Sequence, residues 1–288
     1  MSHICILFLC HRPAVDQLIF YRQFSLSGYD VVVVVDDSSW AVQEVPGIKI
    51  FTITDEACAA SGFLGSNPAI SKPLLVSAWD KALYFIHYFE CKYDFFWLFE
   101  EDVFIPCVQS VVRIDMANAS SDLISSSNNV LASFISASAL HASWCWYRTI
   151  PRALLPLPWA SGMVCAVRLS STLATAAADF VKTHAESLRC RNLRRKKIAS
   201  ILSALRAPRS WVLQIAQPQY LFIEFLFHTL ALQWQMDVST PDQLSHIVWR
   251  QDWAAESMLP GLLYHPVKNI ADHPRLRELI AGKESNSQ

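Results

Sequence analysis

Three short runs of unbroken apolar residues constrain this chain more than any other feature: Ile4 to Cys10 (ICILFLC), Val31 to Val35 (VVVVV) and Phe95 to Phe99 (FFWLF). A half-exposed strand alternates apolar and polar side chains, because successive residues point to opposite faces of the sheet. Runs without that alternation must be covered on both faces, as in a parallel sheet sandwiched between helices. Stiff, β-branched valine reinforces the extended conformation. Each run stops at polar or charged residues: His11-Arg12-Pro13, then Asp36-Asp37, then Glu100-Glu101-Asp102.

Helical spacing fills the intervals. Ala14 to Ser27 places Val15, Leu18, Ile19, Tyr21 and Phe24 at roughly helical period, and Ser71 to Glu90 does the same with Leu74, Leu75, Ala78, Ala82, Phe85, Ile86 and Phe89. Ile48 to Ile53 reads as a further strand. The second half is less regular: a strand from Ser161 to Leu169 entering a helix at Ser170-Ser171, a helix from Pro218 to Trp234, a strand or loop from Gly261 to Lys268, and a frayed polar tail from Gly282. The expected architecture is one α/β domain with a mostly parallel, Rossmann-like central sheet flanked by helices.

Composition removes several function classes. Twenty-four basic against 25 acidic side chains leave a net charge of −1, which argues against a nucleic-acid binder working by bulk electrostatics. A hydrophobic fraction of 52% excludes disorder for want of a core. Only seven glycines occur, and the dinucleotide turn GxGxxG, the phosphate loop GxxxxGK[ST], the nucleophile elbow GxSxG and the zincin HExxH are all missing. The eight cysteines form no CxxC pair and fall largely in apolar runs, so they read as small hydrophobes. The Met-Ser-His start lacks the basic flank of a secretory signal, and the long charge-free stretch between Asp122 and Arg148 is too polar to span a bilayer. A reducing cytoplasm is the expected compartment.

The charged strand ends are where chemistry is expected, since ligands of open α/β sheets bind beyond the carboxyl ends of the strands. Asp36 and Asp37 can accept hydrogen bonds from a ribose or a base, although Asp and Ser also cap helices. Glu100, Glu101 and Asp102 repel one another unless a cation or partners compensate. Strand alternation points Glu100 and Asp102 the same way, and two oxygen ligands with open positions suit Mg²⁺ or Mn²⁺. His265-Pro266-Val267-Lys268 adds a late histidine beside a lysine able to neutralise a diphosphate.

The order of these pieces resembles the GT-A fold of nucleotide-sugar-dependent glycosyltransferases. The likeness covers residues 4–106 well and the remainder by isolated pieces. It implies a nucleotide-sugar-binding half at 1–106 fused to an acceptor half at 107–288. In such enzymes a loop after the first strand, resembled by Cys10-His11-Arg12-Pro13, and an acid after the second hold the nucleoside, which points to Arg12, Asp36 and Asp37. A helix with a basic residue follows, resembled by Trp79-Asp80-Lys81-Ala82, so that Lys81 or Lys72 lies near the nucleotide. Glu100-Glu101-Asp102 takes the place of the Asp-x-Asp motif, with Glu100 departing from it. The resemblance implies a divalent metal held by Glu100, Asp102 and a late histidine, His265, with Glu101 and Lys268 beside the nucleotide. It further implies an acceptor segment at Trp159, Ser161 and Gly162.

An inverting transferase needs a carboxylate that deprotonates the acceptor hydroxyl, and Glu224, an acid amid Tyr220 to Phe225, is the candidate. The expected activity is hexosyl or pentosyl transfer to a glycan or glycoconjugate. The alternatives are a sugar-nucleotide nucleotidyltransferase, for which a Gly-rich loop is lacking, and a non-catalytic scaffold that keeps the fold. Arg189 to Lys197, six basic residues without an acid, reads as a solvated helix face, a peripheral contact with anionic membrane, or a lid over the diphosphate.

Overall fold

The computed structural model describes residues 2–41, 44–67, 76–89, 92–132 and 145–285. Strands β1 (Ile4–Cys10), β2 (Asp30–Val35), β3 (Lys49–Thr52), β4 (Phe95–Glu100), β5 (Leu123–Ile124), β8 (Ala166–Ser170) and β9 (Val238–Ser239) form one seven-stranded sheet in the order β3-β2-β1-β4-β8-β5-β9. Every pairing is parallel except those of β8, which runs antiparallel between β4 and β5. Two small ribbons join β6 (Asn129–Leu131) to β7 (Trp159–Ser161) and β10 (His246–Ile247) to β11 (Tyr264–His265).

The unbroken apolar runs do what their pattern requires. Along β1, Cys5, Leu7 and Leu9 enter one core, and Ile6, Phe8 and Cys10 enter another on the opposite face. The valines of β2 and Phe96 to Phe99 of β4 divide in the same way. Helices α1 (Val15–Leu26) and α4 (Val108–Ala117) cover the second face. Helices α3 (Ala78–Phe89), α5 (Ser171–Ala204) and α7 (Ile223–Gln233) cover the first. Shorter helices α2 (Asp55–Ala60) and α6 (Arg209–Ala216) and a terminal α8 (His273–Ser285) complete the chain.

Several sequence expectations are corrected. Of the helix read over Ser71 to Glu90, residues 71–75 and 90 lie outside the described residues; Val76 and Ser77 are not helical, and α3 begins at Ala78, where the Asp80 carboxylate reaches back to the Ser77 amide at 2.9 Å and closes the first turn. The strand read from Ser161 to Leu169 is two strands, β7 and β8, meeting different partners. The helix read from Pro218 starts at Ile223, since Pro218 has no amide hydrogen and Gln219 is drawn into hydrogen bonds with Asn192. The tail read as frayed continues as α8 through Gly282 to Ser285.

Among the described residues, no helix is long and apolar enough to cross a membrane. Cys5, Cys10, Cys58, Cys107, Cys165 and Cys190 carry free thiols.

One polar network sits inside the second core. Arg168, on the antiparallel strand, donates to Asp115 at 2.8 Å and to the Ser121 carbonyl at 3.0 Å. Asp115 also accepts from Trp97 Nε1 at 2.9 Å and Tyr29 Oη at 2.6 Å. This network locks α4, β2, β4 and β8 together where a purely apolar core could slip. Breaking such a pair leaves an uncompensated buried charge. Asp115→Ala is therefore expected to lower unfolding free energy by about 3–5 kcal/mol in urea titration, whereas a loss below about 1 kcal/mol would show the network to be incidental.

Candidate functional site

Strand register brings the charged ends into one row. Leu9 pairs with both Val34 and Glu100, so two residues further on His11, Asp36 and Asp102 leave the sheet side by side at the carboxyl edge of β1, β2 and β4, one step beyond Glu101. The edge lies at the topological switch point, where β2 continues the sheet on one side of β1 and β4 on the other; crevices there are the usual ligand site of open α/β sheets. A cleft of about 270 Å³ opens at this place, lined among others by His11, Asp36, Asn67, Trp79, Asp102 and Lys268. A second cleft of about 360 Å³ adjoins it, sharing His11 and Glu101 and reaching Arg12 and Arg277.

The three acids after β4 are each compensated differently. Glu100 Oε1 accepts from Trp79 Nε1 at 2.7 Å. Glu101 Oε2 accepts from the His11 amide at 2.9 Å, stitching the β1 and β4 loops together, and burial raises its carboxyl above the ordinary range. Asp102 pairs through Oδ2 with the Lys268 ammonium and through Oδ1 with His265 Nε2 at 3.4 Å. Burial opposes the charged form of Asp102, but His265 and Lys268 outweigh it and hold the carboxyl down at about 2.

His265 reaches this cluster because Phe104 and Tyr264 exchange backbone hydrogen bonds of 2.8 and 3.1 Å, clamping the late segment along the chain that leaves β4. Its Nδ1 lies 2.8 Å from the Val248 carbonyl, which can only accept, so Nδ1 carries a hydrogen and Nε2 faces the acids. Nε2 is 3.7 Å from Glu100 Oε2. Each acid has one oxygen tied elsewhere and one left toward the same imidazole nitrogen. Cys165 completes a compact group, its sulfur within 4.8 Å of ligand atoms on Glu100 and His265. Burial, then the carboxylates of Glu100, Asp102 and Glu224, keep that thiol protonated.

The expected nucleotide residues divide. Asp37 is tied to Arg12 at 2.5 Å and to Ser39 Oγ at 2.6 Å; those Ser39 hydrogen bonds, then Arg12, hold its carboxyl well below the usual range. Asp36 lines the first cleft and Arg12 the second, whereas Asp37, held by Arg12 and Ser39, lines neither. Lys81 is fully buried: its ammonium contacts the Asp36 carbonyl and lies 2.8 Å from Asp55, so it struts the Asp36 loop against α2 from beneath. Lys72 lies outside the described residues. Lys268 stands at the cleft mouth with its side chain 76% exposed.

The expected acceptor residues also divide. Trp159 is only 1% exposed, with Nε1 donating to the Leu155 carbonyl at 2.8 Å, so it belongs to the core and presents no stacking face. Ser161 is buried beside it. Gly162 makes a close approach: its amide donates to the Glu224 carbonyl at 3.0 Å, and a Cβ there would run into Ser127 and the His228 ring. Glu224 itself is buried in the first turn of α7, where the helix dipole favours an anion. Its charge is one of those that raise the Cys165 thiol, and it lines neither cleft.

Sequence reasoning missed Trp79, Cys165, Asp55 and Asn67. Trp79 adjoins the expected basic residue, but nothing in the linear pattern marks an indole as a carboxylate donor. Cys165 lies between two strands, β7 and β8, whose division the pattern hid. No protein-family model matches the chain, and no curated protein matches it in sequence.

His228 supplies a pH-dependent contribution next to this site. It is 1% exposed, and its Nε2 lies 2.9 Å from Ser125 Oγ and 3.0 Å from the Ser127 carbonyl. Burial drives its pKa down to about 4. The unfolded chain binds the proton more readily, so the contribution is complete above the ordinary histidine value and drains away as pH falls toward 4. Urea unfolding between pH 7 and pH 4 is expected to show a loss that His228→Gln reduces by about 3 kcal/mol, while the buried His273, also driven down to about 4, keeps a share of its own. An equally steep profile in the variant would assign the loss elsewhere.

Proposed function

We propose that this chain is a GT-A-type glycosyltransferase that moves a sugar from a nucleotide-sugar donor to a glycan or glycoconjugate acceptor with the help of a divalent ion. The observation that carries the reading is the convergence of Glu100 and Asp102, each through one oxygen, on Nε2 of His265 at the switch point. Two carboxylate oxygens and an imidazole nitrogen oriented by its own carbonyl partner form a donor set suited to Mn²⁺ or Mg²⁺. Cys165 Sγ, within 4.8 Å of the ligand atoms of Glu100 and His265, stands beside Asp102 as a further candidate ligand.

Asp36 and Asp37 accept hydrogen bonds from the nucleoside, and Arg12 fixes the loop that presents them. Glu101 holds the floor of the cleft to the His11 amide. Glu100, Asp102 and His265 would hold the ion, which when bound supplies positive charge against the diphosphate. Lys268, exposed at the cleft mouth, stabilises the same negative charge as the nucleoside diphosphate departs. Glu224 accepts the proton of the acceptor hydroxyl.

One observation favours a second reading. Lys268 and His265 already neutralise Asp102 without any ion, as a non-catalytic scaffold of the same fold would require. The two readings separate on catalysis. With a labelled nucleotide-sugar panel and Mn²⁺, the wild type is expected to release or transfer sugar. Glu224→Gln is expected to keep donor affinity and lose transfer by roughly 10² or more. Near-normal turnover in a well-folded variant would remove Glu224 as the base. Absence of turnover in the wild type with every donor would favour the scaffold.

A further inference from the structure

Between Ser187 and Ile223 the chain carries eight basic residues and no acid, so all 25 acidic side chains lie elsewhere. The segment is a helical hairpin. The second half of α5 turns at Arg206, with φ 58°, and returns as α6. Arg195 braces it by donating to the carbonyls of Ile215 at 3.0 Å and Gln214 at 3.2 Å. Asn192 and Gln219 close its root with hydrogen bonds of 2.7 and 2.9 Å.

The hairpin exposes an unusual set of side chains. α6 buries no residue at all. Ile198, Ile201 and Leu205 on α5, with Trp211 and Leu213 on α6, are all between 48% and 73% exposed. Arg194, Ile198, Ile201 and Leu205 recur at helical spacing and share one face, with Lys197 one turn before Ile201. Large apolar residues grouped in water mark a contact surface. Basic and apolar side chains on one helical face are the pattern of a helix lying in a membrane interface, and tryptophan favours the same depth.

We infer that this hairpin docks the protein on an anionic lipid surface, with Ile201, Leu205 and Trp211 at headgroup level and Arg191, Arg194 and Lys197, exposed on the same face of α5, against the lipid phosphates and carboxylates. Charge selects this occupant. A second copy related by a two-fold axis would bring the same cationic face against itself. A nucleic acid would satisfy the charge and leave the isoleucines, leucines and tryptophan in water. The inference stands apart from the transferase reading. If both hold, the acceptor is carried on a lipid, because the hairpin root at Gln219 leads directly into α7 and Glu224.

Co-sedimentation of the full chain with vesicles tests the inference. Recovery is expected with a phosphatidylcholine–phosphatidylserine mixture, with little on phosphatidylcholine alone and a marked loss at high salt. Replacing Arg191, Arg194 and Lys197 together by alanine is expected to reduce partitioning by roughly 100-fold, about fivefold per charge. Leu205→Ser with Trp211→Ser is expected to reduce it by about tenfold or more at unchanged melting temperature. Equal recovery on both vesicle types, or partitioning that neither variant alters, would overturn the inference. So would capture by single-stranded RNA without vesicle binding, or self-association that the same substitutions abolish.

Discussion

Three consecutive carboxylates at the end of a fully buried strand are the constraint around which this molecule is arranged. Crowded like charges cannot stand at the edge of a low-dielectric core unless each is met by a donor or a cation. Here each is met from a different direction: an indole of α3 for Glu100, the backbone after β1 for Glu101, and the imidazole and ammonium of the late segment for Asp102. Compensation thereby ties α3, the first strand and a segment more than 150 residues away to one point. The Phe104–Tyr264 bridge, the Val267 amide on the Asp102 carbonyl at 2.8 Å, and α8 packed on Phe104 hold that segment in place.

The same arrangement separates rigid from available charge. Lys81, Asp80 and Asp55 are consumed in holding the loops beneath the cleft; Asp80 is pushed up to about 6 by burial even while accepting from Ser66 and Ser77. What lines the cleft is Glu100 and Asp102, turned through their remaining oxygens toward the buried Nε2 of His265, and the exposed Lys268, whose ammonium pairs with Asp102. A site built in this way keeps its geometry through buried struts and leaves its chemistry to a few groups with unsaturated coordination, the division expected where a charged ligand is received.

The parts of this design legible in the linear sequence were those imposed by burial on both sides. β1, β2 and β4 and their charged ends announce themselves because no alternating pattern can explain ICILFLC, VVVVV or FFWLF. The juxtaposition of His265 with the acids was reachable only through a family resemblance, since no local pattern joins residues so far apart. Trp159 misled because an aromatic residue beside Ser and Gly looks equally suited to a stacking surface and to a core. The two-residue strands β5 and β9 are too short to carry a period, and β8 runs against its neighbours with the same apolar composition as a parallel strand. Lys81 shows the remaining limit: a lysine at the right place in the chain can reach the site from below, already paired.

The most direct test is calorimetric titration of the wild type and Asp102→Asn with UDP-, GDP- and CMP-sugars, each with and without Mn²⁺. The account predicts that one nucleotide class binds the wild type only when the ion is present, and that Asp102→Asn loses this binding while its melting temperature in the absence of ligand shows a folded protein. Binding that ignores both the ion and the substitution, or no binding of any nucleotide to the wild type, would contradict it.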